Sequence, residues 1–120
     1  MPAARAAAFA DALQQARRLR LAGQGRAAMA ALERAHVLGQ ARFGWHLRVH
    51  GQMLALACAG RDGREAAGQL LRIVLTPVGH LTGRLPPGNI GSSRVSAFQP
   101  MPVPPDLQRL LDDAPPPPRA

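Results

Sequence analysis

Two glycine-marked joints constrain this chain more than any other feature. AGQGRAA at Ala22–Ala28 and AGRDGREAA at Ala59–Ala67 each close one Ala/Leu-rich stretch and open another, with Gly25 and Gly63 in matching places. Glycine enters the left-handed conformation that ends a helix without a Cβ penalty. The pattern therefore predicts helices joined by short turns. Helix one runs from Ala3 to about Leu21, with Phe9, Leu13, Ala16 and Leu19 as its apolar stripe. Helix two runs from about Arg26 to Gly39, and helix three from about Gly44 to Ala59, with Gly60 as its stop. Helix four runs from about Gly63 to Leu75, N-capped by Asp62 and buried through Ala67, Leu70, Leu71 and Val74. Pro77 is expected to prevent its continuation.

The predicted fold class is all-α: four helices in two antiparallel hairpins, loosely tetratricopeptide-like. The tetratricopeptide aromatic and proline signature is absent, and two hairpins fall short of the usual three repeats. Recurrence of Gly-Arg-Ala turns through compositional bias is the competing explanation of the match. Only 3% of residues are aromatic and none is tyrosine, which disfavours a β-sandwich or barrel. A chain of 120 residues suits one domain, here placed at residues 1–113.

From Thr76 to Pro105 the chain is rich in proline and glycine and lacks a helical period. Val95, Phe98, Met101 and Val103 recur every two or three residues, as in an extended segment laid on a surface. This irregular stretch, 76–105, is predicted to fold back over the helices, with turns at Gly88–Asn89 or Asn89–Gly91. Pro105 can then open a short helix, 105–111. The proline-rich residues 114–120 are expected to be disordered.

The net charge of +8 comes entirely from arginine on the basic side. Such a charge attracts polyanions, but the arginines are scattered. Arg17, Arg18 and Arg20 form the one cluster and do not share a helical face. Nucleic acid is therefore not an expected partner, because no basic stripe or reading motif accompanies the charge. Cys58 alone excludes an intramolecular disulfide. No apolar run is long enough to cross a bilayer, so no membrane association is expected and the cytoplasm is the default location.

The chemistry is concentrated between Leu32 and Leu54, which hold three of the four histidines. Glu33 and His36 are three apart and His46 and His50 four apart, so each pair shares a helix face. A turn near Ala41–Arg42 would bring the faces together, placing Glu33 beside His50 and His36 near His46. Imidazole and carboxylate are good ligands for zinc, iron, manganese or nickel. The expected site is one divalent ion held by Glu33, His36, His46 and His50. The competing reading is a helical-hairpin interaction module, with an unknown protein partner, in which these residues only hydrogen-bond. A metal-dependent enzyme of unknown reaction is a weaker third. His80, placed in the irregular segment, is expected to face solvent and to complete the site only if that segment folds back; Gln40, Gln52 and Gln69 are candidates for satisfying its backbone groups.

Four blocks, LERAHVLGQ (Leu32–Gln40), HLRVHGQML (His46–Leu54), GREAAGQLLRI (Gly63–Ile73) and PPGNIGSSRVSAFQPMPVPPDL (Pro86–Leu107), are together specific. They resemble a family of short bacterial proteins known only as a domain of unknown function. The resemblance implies a compact stand-alone protein with an ordered Pro86–Leu107 segment, and it transfers no catalytic residue.

Overall fold

A computed structural model describes residues 3–112, and the expected disorder of 114–120 lies outside them. The described residues form five helices and no strand: α1 (Ala3–Leu21), α2 (Gly25–Gly39), α3 (Phe43–Ala59), α4 (Gly63–Thr82) and α5 (Pro105–Asp112). Each of the first four helices packs on the next, and α5 lies against α2 and α1.

The two joints share one turn geometry. After α1, Gly23 N–H donates to the Arg20 carbonyl at 3.0 Å and Gln24 N–H to the Leu19 carbonyl at 2.8 Å, with Gly23 at φ 76°. This pairing of a left-handed residue with two backward hydrogen bonds satisfies carbonyls that the helix end would otherwise orphan. After α3, Arg61 N–H donates to the Cys58 carbonyl and Asp62 N–H to the Ala57 carbonyl. There the left-handed residue is Arg61 at φ 54°, while the expected stop, Gly60, keeps a negative φ of −85°. The matched sequence thus marks a matched turn. Asp62 caps α4 as expected, accepting from Glu65 N–H at 3.0 Å.

The apolar core lies mainly where α1, α2 and α3 meet. Phe9, Leu13 and Ala16 form the buried stripe of α1, with Leu32, Ala35 and Leu38 from α2 and Val49, Met53 and Leu56 from α3. Phe9 stacks on Trp45 with ring centres 4.2 Å apart. Leu107 of α5 is 1% exposed and closes the core from the C-terminal side.

Two expectations about α4 fail, and both matter for the site. The helix does not end near Leu75: it continues through Pro77 to Thr82 and stops at Gly83, whose φ is 70°. Proline removes one backbone donor from the ladder but leaves the turns around it able to form. A left-handed glycine cap, with Gly83 N–H on the Gly79 carbonyl, sets the end instead. The helix also turns the other way round from its apolar pattern. Leu70, Leu71 and Val74, expected in the core, are 54%, 54% and 68% exposed. Gln69, Arg72 and Thr76 are buried in their place.

The C-terminal strap, 83–104, explains this reversal. Arg72 Nη2 donates to the Val95 carbonyl at 2.7 Å, and Gln69 Nε2 to the Gly91 carbonyl at 3.1 Å. Asn89 organises the strap itself, its Nδ2 donating to the Ser96 and Gln99 carbonyls at 2.8 Å each. Phe98, one of the residues expected to lie on the helices, is 72% exposed instead.

Candidate metal centre

His36 sits in the last turn of α2, and His46 and His50 lie one turn apart on α3. The short joint between these helices brings all three rings into one buried space, as the four-residue spacing of the second pair predicts. His36 Nε2 lies 3.0 Å from His46 Nε2 and 3.2 Å from His50 Nε2. The rings are only 2%, 5% and 2% exposed, so no bulk water separates these atoms.

The outer nitrogens are held by fixed partners. His36 Nδ1 is 2.6 Å from the Asn89 carbonyl, which can only accept, so this nitrogen carries the proton. Gln69 donates its Nε2 to the Glu65 carboxylate at 2.9 Å and to the Gly91 carbonyl. Its oxygen is therefore the atom 2.7 Å from His50 Nδ1, which must also be protonated. In the neutral rings, both Nε2 atoms then present lone pairs, facing each other with no hydrogen between them. His46 is the one ring whose tautomer is open, because its Nδ1 meets His80 Nε2 at 3.0 Å.

Burial keeps these rings neutral. It is the main cause that holds His36 well below the ordinary imidazole value, with His50 and His46 next and the Asn89 carbonyl opposing. His46 is lowered to about 3, by burial first and then by His50 and His80. Burial also lowers His50, against the bond to Gln69 and the charge of Glu65, while Arg72 lowers it further. The interior thus contains three uncharged imidazoles whose Nε2 atoms converge, an arrangement that could hold a metal ion.

Glu33, expected as the fourth ligand, faces elsewhere. Its carboxylate accepts from Arg94 Nε at 2.8 Å and Arg94 Nη2 at 3.2 Å, and from the Ser92 hydroxyl. It is one residue short of the four-residue step that aligns His46 with His50, and the strap occupies the side it presents. Glu33 ties the strap to α2; the converging set is His36, His46 and His50. His80, expected in irregular chain, stands in the last turn of α4 because that helix passes through Pro77.

Nothing in the sequence marks Asn89 as the carbonyl that orients His36, since a backbone acceptor leaves no trace in residue type. Gln69 meets the strap as expected, at the Gly91 carbonyl; its contact with His50 depends on α4 turning its polar face inward. Gln40 likewise donates to the strap, at the Pro86 carbonyl, 2.8 Å away. The close fit of strap to centre shows at Gly91, where φ is 86° and a Cβ would stand 2.4 Å from the His36 ring. Only glycine lets the backbone pass there.

Beside the three rings is a cavity of about 350 Å³, bounded by α4 and the strap. No helix among the described residues is long and apolar enough to cross a membrane. No curated protein and no solved structure matches the chain. A family model described as "Protein of unknown function (DUF3703)" matches residues 3–111, a span that includes all four histidines and the whole strap, and the chain belongs to that family.

Proposed function

We propose that this protein binds one divalent transition-metal ion through the Nε2 atoms of His36, His46 and His50. The observation that carries the reading is the 3.2 Å approach of the His36 and His50 Nε2 atoms while their Nδ1 protons are committed to Asn89 and Gln69. Two lone pairs at that distance repel unless a cation lies between them. Ligands on a tetrahedral ion with metal–nitrogen bonds of about 2.0–2.1 Å stand about 3.3 Å apart, close to the observed spacings. Carbonyl or carboxamide partners on the far nitrogens are the usual means of orienting metal-bound imidazoles. An all-imidazole set favours zinc, iron, nickel or copper over manganese, which prefers oxygen. Three protein ligands leave a further coordination position, as in centres that bind exogenous ligands.

Protein purified without an affinity tag and titrated with zinc or cobalt(II) should bind about one equivalent. His50→Ala and His36→Ala should each abolish that binding while Glu33→Gln retains it. Absence of stoichiometric binding by the wild type, together with thermal stability indifferent to chelators and added metal, would overturn the reading.

A second reading, a helical interaction module, is favoured by the outward row Leu70, Leu71, Val74, Val78 and Leu81 on α4. Contiguous exposed apolar side chains of this kind mark association surfaces. A second copy of the chain is the simplest partner, and sedimentation should then show concentration-dependent association that Leu71→Gln with Leu81→Gln removes. Its companion idea, a pure hydrogen-bond network at the histidines, would place a His46 Nε2–H on the His36 Nε2 atom 3.0 Å away but leaves the 3.2 Å contact of His36 with His50 without a proton.

A further inference from the structure

The cavity beside the histidines is a site with an asymmetric chemistry. His36, His46 and His50 line one side, and Leu75, Val78, Leu85, Ala97 and Phe98 contribute apolar wall. Its volume of about 350 Å³ falls at the lower end of the range for small-molecule sites, roughly 300–1,000 Å³. No aspartate or glutamate lines it, whereas Arg72 and Arg84 do. Glu65, which interacts with both Arg72 and His50, offsets the first of these charges. Arg84 is exposed and has no ion-pair partner among the described residues.

Charge decides what such a space will take. A divalent ion held by three neutral imidazoles keeps its whole charge, and a buried charge is costly unless it is paired. Glu33, the nearest candidate on α2, is already engaged by Arg94. The compensating anion must come from outside the protein, and the cavity walls set what that anion may carry with it.

Resting on the metal reading above, we infer that the open coordination position takes the carboxylate of a small amphiphilic acid. Its hydrocarbon body lies along Leu75, Val78, Leu85 and Phe98, and Arg84 attracts it at the rim. The carboxylate supplies the negative charge that the centre lacks. The apolar body displaces water from a wall that water solvates poorly. An amine of the same length would be repelled, and a short acid would forgo the wall.

The test uses the full chain loaded with cobalt(II), whose visible absorption reports changes in its inner ligands, and hexanoate as the probe. Hexanoate should shift the spectrum saturably and bind at least tenfold more tightly than acetate, while hexylamine leaves the spectrum unchanged. Val78→Trp should retain the cobalt spectrum and weaken hexanoate at least tenfold, because Val78 is half-exposed and its replacement fills the mouth of the cavity. Thr82→Trp, at an exposed lining position, serves the same purpose if the first variant folds poorly. Arg84→Gln should weaken hexanoate several-fold, with most of that effect lost at high salt. Cobalt binding with no preference of hexanoate over acetate overturns this inference and leaves the metal reading standing. Failure of the wild type to bind cobalt overturns both.

Discussion

The two ends of this helical array are built on opposite rules. Where α1 meets α2, the interior is apolar: Phe9, Leu13 and Ala16 lie against Leu32, Ala35 and Leu38, with the half-buried Arg5 donating its Nε to the Leu38 carbonyl at 3.2 Å. Where α3 meets α4 and the strap, the interior is polar: His46, His50, Gln69, Arg72, Thr76, Asn89 and Ser92 are buried, and leucines and valines of α4 point out. A surface helix normally turns its apolar stripe inward because burial there contributes about 25 cal/mol per Å². α4 forgoes that contribution. What replaces it is a set of directed hydrogen bonds from Gln69 and Arg72 to strap carbonyls, each modest in net energy but costly to leave unmade. One end is arranged for stability, and the other to hold three imidazoles in fixed orientations.

Substitutions at the two ends should therefore fail in different ways. The largest loss is expected for Phe9→Ala, which empties the space beside Trp45 and should cost about 3–5 kcal/mol in denaturant unfolding. The histidine cluster should survive it in whatever fraction stays folded. Gly91→Ala is next. Backbone strain at a positive φ costs about 1–3 kcal/mol, and the added methyl would push on the His36 ring. It should abolish metal binding although no ligand is changed, which a zinc titration alongside circular dichroism would detect.

Acidity separates the ends further. In metal-free protein the buried imidazoles have lowered pKa values, so below pH 6.5 the unfolded chain binds protons that the folded chain refuses. Their contribution to stability is complete above that value and declines as pH falls, down to about 3 for His46. Each should cost about 1.4 kcal/mol per pH unit within its window. His46→Gln should flatten this dependence, measured as unfolding free energy against pH, while a substitution in α1 should leave its slope unchanged.

The smallest effect is expected on the outward row of α4. Leu81 is 88% exposed, and Leu81→Gln should change stability by less than about 0.5 kcal/mol. A loss several times larger would mean that this face is covered in solution, and the contrast between the ends would then need redrawing.

Much of this was legible beforehand because it is local. The ends of α1, α2 and α3 followed from glycine punctuation, the Asp62 cap from its position, and the convergence of His36, His46 and His50 from helical spacing plus one turn. Glu33 lies off the converging set because spacing fixes a helix face only to within a broad sector, and Arg94 and Ser92, distant in sequence, hold its carboxylate. The position of His80 was not legible in the same way, because Pro77 signals a stop while the left-handed cap at Gly83 sets the actual end of α4.

The sequence by itself determined an all-helical chain with two equivalent joints and three imidazoles able to meet, since hydrophobic period, turn chemistry and side-chain direction act over a few residues. Tertiary structure alone decided which face of α4 turns inward, which carbonyl orients His36, and where Glu33 points. Those choices are made by hydrogen bonds between α2 or α4 and a strap that lies far along the chain. No local pattern encodes a partner that arrives only when the strap closes.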